Sequence, residues 1–104
     1  MLFRSLTVSQ WVWANTSNQT TYAATFAIDD QAGSNLSFQH MVSSGQWRLH
    51  NNQTQPFGNV IPQRWTHLVS VFDDGDIRQY MDGVLVGTNT YPNGSFNKIG
   101  RAHV

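Results

Sequence analysis

Cysteine and glutamate are both missing from this 104-residue chain, and lysine occurs once. Without cysteine there can be no disulfide, no thiolate metal site and no Cys nucleophile. Without glutamate, every side-chain carboxylate is one of six aspartates, at positions 29, 30, 73, 74, 76 and 82. Good helix formers are correspondingly scarce. Thr, Ser, Asn, Val and aromatic residues dominate instead, which is the composition of strands and turns. Charge is also thin. Charged residues make up 12% of the chain and the formal net charge is zero, about half the usual charged share. Five Arg and one Lys, scattered along the sequence, do not make the cationic surface that a phosphate backbone requires, so nucleic acid is excluded as a partner. No basic amphipathic stretch suits a membrane surface, and no apolar run is long enough to cross a bilayer. The opening Met1-Leu2-Phe3-Arg4 is not followed by the apolar region of a signal peptide.

What is present reads as one domain over residues 1–104. Apolar residues are 39% of the chain and aromatic residues 12%, enough for one compact core. Period-two alternation recurs throughout. In the first segment Leu6, Val8 and Val12 share one face, and Thr7, Ser9, Trp11 and Trp13 the other. After a polar loop at 15–19, Tyr22, Ala24, Phe26 and Ile28 share a face, then Leu36, Phe38, His40 and Val42. Ser43-Ser44-Gly45 reads as a hairpin, followed by alternating Trp47 and Leu49 and a polar loop from Asn51 to Pro56. From Trp65 to Asp73, Trp65, His67, Val69 and Val71 oppose Leu68, Ser70 and Phe72. Apolar residues on both sides predict a strand covered on both faces. Asp74-Gly75 and Asp82-Gly83 are tight-turn signals, Tyr91-Pro92-Asn93-Gly94 is a further turn, and a last strand begins near Asn97. About eight short strands with no helical period predict an all-β sandwich or barrel.

Two blocks carry a resemblance. One is Trp65-Thr66-His67-Leu68-Val69, then Asp73-Asp74-Gly75, then Tyr80-Met81-Asp82-Gly83, closed by Ile99-Gly100; the other, upstream, is Leu6-Thr7-Val8-Ser9-Gln10-Trp11-Val12. In this order and separation they resemble the laminin G-like, concanavalin A-like lectin/glucanase superfamily. The resemblance implies an antiparallel β-sandwich of the concanavalin A-like jelly-roll type. It implies a non-catalytic module recognising carbohydrate or a cell-surface or protein partner, and an extracellular or cell-surface setting. It places Trp11 and Trp65 on core strands, with Trp65 substantially buried, and gives His67 a structural strand position. Family domains usually run longer, so the chain resembles a short or truncated form with open strand edges. Open edges predict a homo-oligomer built through Leu2–Val8 or Asn97–Val104. Assembly through sheet edges is therefore the alternative function.

The chemistry can be weighed residue by residue. The fold also hosts glucan hydrolases, which need two carboxylates set about 5 Å or about 6.5–9.5 Å apart across the scissile bond. No Glu exists here, and no Asp pair lies along a central strand with that spacing, so a degenerate hydrolase is the weaker alternative. No Gly-x-Ser-x-Gly elbow accompanies the histidines. His40 and His50 flank a hairpin, where packing is favoured over a metal pair. Calcium is the metal that the resemblance implies, through Asp29, Asp30, Asp73, Asp74 and Asp76 as oxygen ligands. The competing reading is that these aspartates make Asx-type turns, and it is favoured because calcium needs six to eight converging oxygens. For carbohydrate, Trp13, Trp47 and Tyr91, nearer loops, are the candidate stacking platform, with Arg48 and Asn52 as hydrogen-bonding neighbours. The Asn-x-Ser/Thr triplets at 15, 18, 35, 52 and 93 read as turn and strand chemistry.

Overall fold

A computed structural model describes residues 5–18, 23–28, 38–50, 54–73 and 76–90. They form eight strands: β1 (Ser5–Trp13), β2 (Ala23–Ile28), β3 (Phe38–Ser43), β4 (Gln46–His50), β5 (Thr54–Asn59), β6 (Trp65–Asp73), β7 (Asp76–Met81) and β8 (Val84–Thr90). These build two four-stranded antiparallel sheets, in the orders β1-β6-β7-β8 and β2-β3-β4-β5. The expected all-β, jelly-roll-type sandwich is the fold that forms.

Local turn chemistry fixes the hairpins. Ser44 and Gly45 have φ of 54° and 73°, and Asp82 and Gly83 have φ of 52° and 81°. Two successive positive φ values give the turn whose twist matches that of paired strands, and glycine at the second position removes the Cβ penalty. Asp73 pairs directly with Asp76, so two residues join β6 to β7, as the Asp74-Gly75 signal predicts; those two residues lie outside the described set. So do the Tyr91–Gly94 turn, the strand expected from Asn97, and most of the terminal segments invoked for assembly.

Alternation then decides the faces. On β1, Val8 and Val12 are buried while Thr7, Ser9, Trp11 and Trp13 are exposed. On β6, Thr66, Leu68, Ser70 and Phe72 are buried. The core lies between the sheets and joins Val8, Val12, Leu68, Phe72 and Ile77 from one to Val42, Trp47, Leu49 and Phe57 from the other. Each fully buried large side chain contributes about 1.5–3 kcal/mol relative to exposure.

Three expectations need correction. β6 is covered on one face only: its outward Trp65 is exposed, and His67, Val69 and Val71 are half-buried among their lateral neighbours. The loop expected over Asn51–Pro56 gives way to a strand at Thr54. Proline is tolerated there because β5 is an edge strand among the described residues and Pro56 is exposed. Arg48 pairs with Pro56 while Trp47 pairs with Gly58, so Phe57 is an extra, bulged residue, and it is buried in the core. Finally, β2 carries a bulge between Ala24 and Phe26, which breaks the single face expected of that segment: Ala24 is exposed and Phe26 half-buried.

Candidate binding surface

Two side-chain clusters concentrate the chemistry, one inside the sandwich and one on its surface. The inner one is polar. Gln10 on β1 donates from Nε2 to the Thr25 carbonyl (3.3 Å), which turns its Oε1 toward His40. That oxygen accepts from the Thr25 hydroxyl (2.9 Å) and from His40 Nδ1–H (2.8 Å). With its proton fixed on Nδ1, His40 accepts at Nε2 from the Ser70 hydroxyl (2.8 Å). Phe57 meets the His40 ring edge-on at 5.2 Å, and Phe26 lies 6.1 Å away. His40 and Ser70 are both fully buried. Burial alone pushes the His40 pKa down to about 4, because the apolar surroundings disfavour the imidazolium. A serine hydroxyl on a neutral imidazole is the geometry of a nucleophile and its base. Here, however, no substrate atom can reach it, and its effect is to tie β3 to β1 and β6. Gln79 on β7, also buried, reaches across in the same way to the Gln55 and Pro56 carbonyls on β5, both at 3.4 Å.

The outer cluster is aromatic. Register places Trp11 opposite His67 and Trp13 opposite Trp65 on the solvent face of β1 and β6. The Trp11 and His67 rings are stacked, 4.6 Å between centroids and 16° between planes. Trp13 and Trp65 meet at 5.6 Å and 61°. Exposure is 61% for Trp11, 47% for Trp13 and 60% for Trp65, values far from those of core tryptophans. Polar groups border the rings. His67 Nε2 and the Ser9 hydroxyl share a 2.7 Å hydrogen bond, and Trp13 Nε1–H donates to Asn15 Oδ1 at 3.3 Å. Asp82, in the β7–β8 turn, braces the start of β6: its Oδ1 accepts from the His67 backbone N–H (3.0 Å), its own N–H donates to the His67 carbonyl (2.8 Å), and its Oδ2 is bound by Arg64.

Farther along the same face the rows turn polar. Ser9, Val69, Tyr80 and Leu85 are followed by Thr7, Val71, Arg78 and Thr88, then by Ser5, Asp73, Asp76 and Thr90. Arg78 lies 3.9 Å from Asp73, beside a shallow depression lined by Asp76, Thr88 and Thr90.

Those of the expected site residues that are described do not converge. Trp47, read as a platform residue, is a core residue at 3% exposure, and its buried indole N–H has no hydrogen-bond partner among the described residues. The alternation that pairs it with Leu49 also turns it inward. Arg48 sits on the outer face of the other sheet, bound to the Ser43 carbonyl (3.3 Å) and Gln46 Oε1 (2.6 Å), across the sandwich from Trp13. Tyr91 and Asn52 lie outside the described residues, as do Asp29, Asp30 and Asp74. Asp73 and Asp76 face each other at the ends of β6 and β7. Among the described residues no three His, Asp, Glu or Cys side chains come together to hold a metal. His40 and His50 form no metal pair, since both His40 nitrogens are hydrogen-bonded and His50 falls on the opposite face of its sheet. Conversely, Trp11 and Trp65 were expected to be structural, and Trp65 to be buried. The signal against that was their company: Trp11 and Trp13 share a face with Thr7 and Ser9, and a strand that pairs Trp13 with Trp65 sends both rings to the same side.

No curated protein and no solved structure matches the chain. Residues 2–103 match the family model described as Concanavalin A-like lectin/glucanases superfamily, of laminin G type, and the chain therefore belongs to that superfamily, whose modules bind carbohydrate or protein and whose members include glycosidases.

Proposed function

We propose that this protein is a non-catalytic carbohydrate-binding module, and that the Trp11, Trp13, Trp65 and His67 face of β1 and β6 is its binding surface. One observation carries the reading: of the four tryptophans in the chain, three are held in register on the solvent face of adjacent strands, and only the fourth is spent on the core. Leaving such rings in water forfeits a large hydrophobic gain, and a contiguous exposed apolar patch marks an interaction site. Sugars offer what these rings suit, an apolar C–H face for stacking and a girdle of hydroxyls. The Ser9 hydroxyl, Asn15 amide and His67 imidazole beside the rings are matched to those hydroxyls.

A glycan array probed with the wild-type chain and with Trp65→Ala tests the reading. Binding by the wild type, lost in a variant whose melting curve is unchanged, is the expected result. Binding that survives both Trp65→Ala and Trp13→Ala would place the surface elsewhere. The rival reading is a protein-assembly module, favoured by Val84, Leu85 and Val86, three consecutive exposed apolar residues on β8, an edge strand among the described residues. Light scattering at micromolar concentration distinguishes it: a concentration-dependent oligomer disrupted by Leu85→Lys supports assembly.

A further inference from the structure

The orientation of the rings says more than their exposure. Trp11 and His67 are direct register partners, and adjacent strands lie about 4.8 Å apart. Their ring centroids are 4.6 Å apart, with planes within 16° of parallel. The two rings are thus register partners packed face to face on the solvent side of the sheet. His67 covers one broad face of Trp11. Trp11 stays mostly exposed all the same, so the rest of its indole is open to solvent. Next to this pair, Trp13 and Trp65 are inclined at 61° and make a wedge.

We propose that this surface binds single, uncharged glycan chains in solution, with the exposed Trp11 ring as one of its stacking faces, and not the flat faces of insoluble polysaccharide. The inference rests on the glycan reading above. A crystalline polysaccharide presents one plane of sugar rings, and an array that adsorbs to it must present its aromatic faces in one plane. Rings inclined at 61° cannot both lie flat against the same plane. A free chain rotates about each linkage and can offer successive sugar faces at different inclinations. The charge distribution supplies the second half of the argument. At the aromatic end two charged side chains are found among the described residues, Arg64 and Asp82, and they neutralise each other. Arg78 lies at the polar end beside Asp73, and Arg48 is on the other sheet. Among the described residues no excess of cationic groups borders the rings, which is what sulfate or uronate groups would require.

The test is affinity electrophoresis of the intact chain in gels containing neutral soluble polysaccharides (mixed-linkage β-glucan, xyloglucan, glucomannan and α-mannan) or acidic ones (alginate and heparin). It is paired with depletion from solution by microcrystalline cellulose. Retention in at least one neutral gel is expected, weakened about tenfold or more in Kd by Trp11→Ala, with no depletion by cellulose. The retaining polysaccharide should also shield the wild-type tryptophans from acrylamide quenching, a readout that needs no variant. Depletion onto cellulose that Trp65→Ala abolishes would overturn the inference while leaving the glycan reading standing, as would retention by the acidic gels alone. Retention that is indifferent to Trp11→Ala, with no change in quenching, would overturn the role of Trp11 as a stacking face. Retention in none of the gels and no depletion would remove both readings.

Discussion

Lowering the pH from 7 to 5 is expected to cost the fold about 2 kcal/mol through His40 alone. In the unfolded chain this side chain regains its ordinary value of 6.5; in the native sandwich burial pushes it down to about 4. The sign follows from the proton count. Between these two values the unfolded state takes up a proton that the native state refuses, so stability falls as the pH falls. The contribution is fully present above pH 6.5, declines at up to about 1.4 kcal/mol per pH unit, and has lost about 3 kcal/mol by pH 4. Protonation has a definite structural obstacle. The Ser70 hydroxyl can turn to accept from a second N–H at Nε2, so the obstacle is the charge itself, which would sit in a dry interior between Phe26 and Phe57. Urea melts at half-unit steps from pH 7.5 to 4 give the curve directly. His40→Gln removes the titration, although it costs about 1–3 kcal/mol at neutral pH by leaving buried polar groups imperfectly paired. The variant's stability should then be nearly flat between pH 6.5 and 5. If wild type and variant lose the same stability over that interval, His40 is not the acid-sensitive group and the account of the inner network is wrong.

Other substitutions separate core from surface. Trp47→Ala should cost about 3–5 kcal/mol, as expected of a core aromatic, whereas Trp65→Ala, on the solvent face, should cost less than about 1 kcal/mol; equal losses in denaturant melts would reverse the assignment of faces. Ser70→Ala should cost about 1–3 kcal/mol in denaturant melts by removing the donor to His40 Nε2. Gly83→Ala meets no atom within 4 Å but must hold a φ of 81°, so thermal melts should show a loss of about 1 kcal/mol from backbone strain alone; an unchanged melt would mean that the turn relaxes.

Much of the fold was legible in the chain. The Asp-Gly and Ser-Gly turns need positive φ and announce hairpins, and the alternation of Val8 with Val12 and of Leu68 with Phe72 sorts faces without any three-dimensional information. What alternation cannot supply is which face carries a large aromatic residue inward when both faces hold apolar groups. Family likeness puts Trp65 in the core, and the apolar Val69 and Val71 on its own face do nothing to contradict it; nearness to a loop makes Trp47 a platform candidate, although its partner in alternation is the core residue Leu49. Bulges were equally invisible, since Phe57 gains its inward direction from a residue count on β4 and β5 together. The His40 network was hidden for a plainer reason. Its members come from residues 10, 25, 40 and 70, on four strands of two sheets, and nothing local to any of them signals the others.

That network has a consequence for how the two sheets find their seat. An interface of Val, Leu and Phe is tolerant: sliding one layer over the other by a few ångströms exchanges one set of greasy contacts for another at modest loss. Hydrogen bonds of 2.8 Å between His40 and its partners on β1 and β6 admit no such slide, because any shift strands a donor or an acceptor in a dry interior. The polar side chains thus act as a dowel through two planks, fixing one seat for the sheets where greasy contacts alone would permit several.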